Sequence, residues 1–149
     1  MTRVVLDANV LAPGFTSRVG AAGRLIDLRR AAVYELVVSD HNLAEFERTY
    51  GDRYYRSRMT DPQIARIRAS LRAEAIVTEL TISVVGVATQ PQDDLVLATA
   101  VSANGDYLAT RDKQLLKLGN YRDVRIVHPV DLVDILERKG DDAADPGAT

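Results

Sequence analysis

A chain of 149 residues has the length of one domain with room for a full hydrophobic core, and 46% hydrophobic with 27% charged residues excludes a disordered chain. Cysteine is absent, which excludes disulfides and thiolate zinc sites, and with His41 and His128 as the two imidazoles a histidine-built zinc centre is not expected either. A net charge of −2 excludes a uniformly basic nucleic-acid binder, although Gly140–Thr149 carries Asp141, Asp142 and Asp145 and no base, which leaves the remainder slightly positive.

In chain order, Arg3–Leu6 is a short β-branched run that reads as a buried strand. Ala8–Leu11 begins a helical turn that Pro13-Gly14 is expected to interrupt. Ala21–Arg30 sets Leu25, Ile26 and Leu28 among charges, an amphipathic helix. Tyr34–Val38 is a second strand, and Ser39 or Asp40 can cap a helix through Tyr50, with Leu43, Phe46 and Tyr50 on one face. Gly51–Pro62 is a polar connection spiked with aromatics, and Gln63–Ala75 is a helix with Ile64, Ile67 and Leu71 in step. Ile76–Val87 reads as a third strand. Asp93 and Asp94 open a helix to Ala103 that is apolar nearly all round, so it should be deeply buried. Tyr107–Thr110 and Val124–Val127 are the last strands, with a short helix Lys113–Leu118 between them. Pro129 suits the first turn of a closing helix that ends near Lys139. Residues 1–138 are therefore expected to form the domain and 139–149 a flexible acidic tail. No apolar run approaches membrane-spanning length and the chain runs straight into a strand, so a cytoplasmic protein is expected.

Strands alternating with helices imply an α/β domain with a mainly parallel sheet of five strands and right-handed crossovers. In such a sheet the carboxyl ends of the strands share one edge, and ligands bind there. Four acids fall just past a strand or early in the next helix: Asp7, Glu45, Asp94 and Asp112. Each has a plain structural reading. Asp7 and Asp112 can cap helices, Asp94 (with Asp93 beside it) can sit at a helix's positive end, and Glu45 can face solvent. The coincidence of all four at one edge favours a site. Converging carboxylates repel unless a divalent cation joins them, and all-oxygen donors suit Mg²⁺ or Mn²⁺. Such ions activate water and stabilise a leaving oxygen, so the set points to phosphodiester hydrolysis without a nucleophilic side chain.

The segments VVLDANVL (4–11), LAEFERTY (43–50), DDLVLATA (93–100) and YLATRDKQLL (107–116) resemble, in order and spacing, the four acidic motifs of the PIN-domain ribonucleases, above all the toxins of bacterial toxin–antitoxin pairs. The resemblance spans most of residues 1–138. It implies a three-layer α/β/α fold, bound Mg²⁺ or Mn²⁺, a single-stranded RNA substrate and a cognate antitoxin protein, with a homodimer as a further option. By the same resemblance Asp7, Asp94 and Asp112 would hold metal and Glu45 would bind metal or orient the attacking water. Asn9 and Thr110 would support them, with Asp93 a weaker substitute for Asp94. Two positions depart from the pattern. Arg111 stands where the family often has a small residue, and Gln114 where another acid is frequent, so one metal is expected and a second only with substrate.

Between Arg48 and Arg58 bases and aromatics interleave, and Arg48, Arg53, Arg56 and Arg58, together with Arg111, are candidate RNA contacts. The competing reading packs the tyrosines on the core. His41 and His128 are expected to be structural. The alternatives to a ribonuclease are a non-catalytic interaction module of the same fold, and an aspartyl-phosphate phosphohydrolase using Asp7. The latter is disfavoured because Asn9 stands where a second acid is usual.

Overall fold

The computed structural model describes residues 1–17 and 19–144, with side chains through Lys139. The elements follow in the order β1 (Arg3–Leu6), α1 (Ala8–Thr16), α2 (Gly20–Arg30), β2 (Glu35–Val38), α3 (Asp40–Tyr50), α4 (Arg53–Arg56), α5 (Asp61–Glu74) and β3 (Ile76–Val77). Then come α6 (Pro91–Ser102), β4 (Tyr107–Ala109), α7 (Lys113–Leu118), β5 (Asn120–Tyr121), β6 (Val124–Val127) and α8 (Pro129–Ala144). No described helix is long and apolar enough to cross a membrane.

The sheet order is β3-β2-β1-β4-β6-β5, parallel throughout except for the β5–β6 pair. Period-two alternation divides the strand side chains between two cores. Val4, Leu6, Leu36, Val38 and Ala109 pack one face under α1, α2, α3, α5 and α8. Val5, Val37, Leu108, Val124 and Ile126 pack the other under α6 and α7. The result is the expected helix–sheet–helix sandwich. From β1 the chain winds outward through β2 to β3, then crosses back to place β4 on the other side of β1. That reversal puts a crevice between the carboxyl ends of β1 and β4, where open α/β sheets bind ligands.

Four expectations are corrected. Helix α1 does not break at Pro13-Gly14 but runs to Thr16. A Cβ on Gly14 would lie 3.0 Å from both the Ala22 carbonyl oxygen and Ile26 Cγ1, so the glycine allows the close crossing of α2 that holds this turn. The third strand is Ile76–Val77 alone. The segment after it satisfies its backbone through side chains instead, with Thr81 N–H on Ser102 Oγ (2.9 Å) and the amides of residues 86–88 on Asp94. A sixth strand, β5, forms a hairpin with β6 through Arg122-Asp123. The closing helix continues to Ala144, beyond the expected end, and Asp145–Thr149 lie outside the described residues.

Candidate functional site

Asp7 and Thr110 are the first residues past β1 and β4, whose registers pair Leu6 with Ala109. The Asp7 N–H donates to the Ala109 carbonyl (3.0 Å), which locks the two strand ends together. Asp7 is the N-cap of α1, and its Oδ1 accepts from Ala8 N–H (2.8 Å). Its Oδ2 accepts from the fully buried Thr110 hydroxyl (2.8 Å) and from the Asn9 amide (3.4 Å). Thr110 Oγ1 in turn accepts from the Asp112 N–H (3.0 Å), and Asn9 Oδ1 from the Arg111 N–H (3.2 Å). One hydroxyl and one carboxamide thus tie the loop after β4 to the loop after β1.

Asp112 caps α7 with a single oxygen, Oδ1, which accepts from Gln114 N–H (2.8 Å) and Leu115 N–H (3.0 Å). Its Oδ2 has no hydrogen-bond partner among the described residues. The capping role and a ligand role are therefore compatible, because each uses a different oxygen.

Asp93 is the next acid toward this edge. Pro91 at the first turn fixes the start of α6, and the following acids sit at its positive end. Burial, then the charges of Asp112, Asp7 and Asp94, push the Asp93 carboxyl up to about 6. Burial also raises the Asp7 carboxyl, partly opposed by its bonds from Thr110 and Ala8 and reinforced by Asp112. Asp7, Asp93 and Asp112 therefore lie within one another's field at the crevice between β1 and β4.

Asp94 is turned elsewhere. Its carboxylate is buried and accepts from three successive backbone amides, Gly86 (3.0 Å), Val87 (3.1 Å) and Ala88 (2.7 Å). Both oxygens are engaged in folding the 86–88 turn against α6. The adjacent aspartates, of which Asp94 was expected to be the ligand, thus differ in surroundings: Asp93 lies within the field of Asp112 and Asp7, whereas both Asp94 oxygens are taken up by backbone amides.

Glu45 sits on the bordering helix, with its carboxylate paired to Arg48. His41, Glu45 and Arg48 share one face of α3. His41 was expected to be structural, yet its ring lies within reach of the charges of both Asp7 and Arg48 and near the Gln92 backbone, next to Asp93. Burial, the largest cause, and Arg48 lower its pKa, while the Gln92 backbone and Asp7 oppose them. Its Nε2 is buried without a partner. Nothing in the linear sequence marks it, because the contact runs between α3 and the first turn of α6. The start of α3 is pinned to α6 as well, by the buried Ser39 and Thr99 hydroxyls at 2.7 Å. His128 is a local cap, its Nδ1 accepting from Val130 N–H at 3.2 Å.

Among the described residues, no three His, Cys, Asp or Glu side chains stand close enough to hold one ion directly. The donor set is nevertheless hard oxygen under like-charge strain, with the Asp93 carboxylate and Asp112 Oδ2 uncommitted. It fits a cation that keeps part of its water and takes few direct carboxylates, as Mg²⁺ does.

The basic stretch divides by burial. Tyr50 is buried and donates to the Ala12 carbonyl (2.7 Å), and half-buried Tyr55 packs on it with ring centroids 4.8 Å apart. Arg53, Arg56, Arg58 and Arg111 are exposed and have no ion pair among the described residues.

Residues 3–114 match the family model of the PIN domain. Comparison with curated proteins returned no match. Among solved structures, the fold is similar to a chain of the VapBC2 complex of Rickettsia felis bound to a DNA fragment from their promoter. The TM-score is 0.54 at 12% identity, covering 85% of this chain and 98% of that one. The family model spans most of the chain and all three clustered acids, and on that basis the protein belongs to the PIN domain family.

Proposed function

We propose that the protein is a Mg²⁺- or Mn²⁺-dependent endoribonuclease acting on single-stranded RNA. The observation that carries the reading is that Asp7, Asp93 and Asp112 fall around the carboxyl ends of β1 and β4, the topological switch point, where burial and then the charges of Asp112, Asp7 and Asp94 raise the Asp93 carboxyl. Asp7, Asp93 and Asp112 would hold the ion, directly or through its waters. When bound, the ion supplies a water acidic enough to attack at neutral pH and a positive charge for the phosphate oxygens.

The chain's own groups do the rest. Thr110 and Asn9 orient the Asp7 carboxylate and fix its distance from Asp112. Glu45, on the face shared with His41, is placed to accept a proton from water at the cleft once Arg48 releases it to bind phosphate. Arg111, beside Asp112 and exposed, supplies a cation for the backbone of the strand.

The toxin of a toxin–antitoxin pair is the biological role we favour, because membership of the PIN domain family and likeness to a chain of the VapBC2 complex point the same way. The partner would then be an antitoxin protein, and the compartment the cytoplasm. The decisive experiment is cleavage of labelled single-stranded RNA by purified protein with Mg²⁺, with Mn²⁺ and with EDTA. Cleavage should need the metal and vanish in Asp93→Asn. Full activity in EDTA, or in Asp93→Asn with metal, would reject the reading.

A further inference from the structure

We propose that the groove between the C-terminal end of α1 and α4 is a nucleobase subsite. The base of a nucleotide flanking the cleaved bond stacks there on the Tyr54–Arg58 pair, while Arg111 holds a phosphate between that base and the acids. The inference rests on the ribonuclease reading and says where its substrate lies.

The groove has a volume of about 330 Å³ and is lined by Thr16, Tyr54, Tyr55, Arg58, Met59 and Gln63, among others. Tyr54 is 60% exposed, so much of its ring is open to solvent. The Arg58 guanidinium carbon sits 3.9 Å from its centroid. That guanidinium is held in place, since Nη1 donates to the Tyr54 carbonyl (2.9 Å) and to Ser57 Oγ (3.2 Å). Below, Tyr54 meets Tyr55 edge-on at 5.0 Å, and Tyr55 rests on core Tyr50. A flat guanidinium–aromatic stack anchored to the core is a surface on which unpaired bases stack, and rigidity lowers the entropy lost on binding.

Hydrogen bonding is available too. Gln63 Oε1 is used by Thr60 N–H (2.8 Å), which leaves its amide N–H groups as donors at the groove wall. Among the described residues, no acid lines this groove. The larger groove beside α2 and α5, about 490 Å³, contains Asp27, and its Arg30 is already paired with Glu74. A polyanion therefore favours the α4 side. Helix α1 links the two places: Asp7 caps its start and Thr16 ends it, about 13 Å apart by helical rise. Arg111 adjoins Asp112, and its charge reaches the Tyr55 hydroxyl, where it partly offsets the rise caused by burial.

The test is fluorescence anisotropy of the full chain with 5′-labelled oligouridylate and oligoadenylate in EDTA, over a salt series, with polyphosphate as a base-free competitor. Tyr54→Ala should weaken binding of both RNAs by roughly 5- to 100-fold at an unchanged salt slope, and Tyr54→Trp should restore it. Polyphosphate should compete as well against Tyr54→Ala as against wild type. Arg111→Ala should reduce the salt slope by about 0.7, the contribution of one phosphate on a single strand. Wild-type affinity in Tyr54→Ala, or an equal loss of polyphosphate binding, would overturn the subsite, and an unchanged slope in Arg111→Ala would overturn its phosphate contact. If the wild type binds and cleaves RNA while Tyr54→Ala is indifferent, only the subsite falls. If the wild type neither binds nor cleaves RNA, the ribonuclease reading falls with it.

Discussion

Asp93 and Asp94 are chemically identical neighbours, yet their surroundings differ sharply. Three backbone amides hold the Asp94 carboxylate, so its removal should cost about 1–3 kcal/mol. We expect Asp94→Ala to lower the unfolding free energy from urea melts by that amount, with a lower midpoint; an unchanged midpoint would show that the 86–88 turn does not depend on it. Asp93→Asn should instead abolish cleavage without loss of metal-free stability. The pH dependence follows from the same contrast. The folded Asp93 carboxyl titrates near 6 against an ordinary 3.8, so the fold binds its proton more tightly than the unfolded chain does. That stabilisation is complete below about pH 4 and disappears as pH rises through about 6. Metal-free wild type should therefore melt at a higher temperature at pH 5 than at pH 7, and Asp93→Asn should show a smaller difference. An identical pH profile in the mutant would place Asp93 outside the cluster.

At the scale of elements, the crossing of α1 and α2 is set by the absence of a side chain at Gly14. Helix propensity alone would make Gly14→Ala stabilising by up to about 1 kcal/mol. The added Cβ would press on a backbone oxygen and on Ile26 at 3.0 Å, and overpacking of this kind costs about 1–3 kcal/mol. The steric term should prevail because a carbonyl within α2 cannot swing aside, so denaturant melts should show a net loss. A gain would mean that the crossing has slack. Helix α6 carries a different lesson. It is apolar nearly all round, so its sequence specifies burial but not rotation. One residue along a helix is a 100° turn, and packing of Val96, Leu97, Ala98 and Ala100 under the sheet decides which aspartate faces β1 and β4.

For the whole molecule, the proposed function makes the acidic crevice a place where metal-free stability is given up for binding. Mn²⁺ or Mg²⁺ should raise the melting temperature of the wild type, through a stabilisation that grows with metal concentration over its Kd and reaches about 2.7 kcal/mol at a hundredfold excess. Asp7→Asn, Asp93→Asn and Asp112→Asn should each shrink that gain, whereas Asp94→Asn should leave most of it. Because Asn caps helices about as well as Asp, the changes at Asp7 and Asp112 isolate the charge from the cap. Equal metal stabilisation in all four mutants and the wild type would mean that the ion binds elsewhere.

The sequence alone determined the alternation of strands and helices, the cap at Ser39, and the arrival of Asp7, Thr110 and Asp112 at one sheet edge. Those features are local, or follow from parallel topology, and are written in periods of two and 3.6 residues. Tertiary structure decided what has no local signature. The hydropathy of 78–87 resembles a strand, but the polar backbone after Thr78 finds side-chain partners instead of a neighbouring strand. The β5–β6 hairpin turns through Arg122 at a φ of 52° without a glycine to announce it. The choice of Asp93 over Asp94, the burial of Tyr50 beside exposed Tyr54, and the approach of His41 to Asp7 all depend on how one element rotates against another. That rotation is fixed by packing between segments distant in the chain, which no short stretch of sequence encodes.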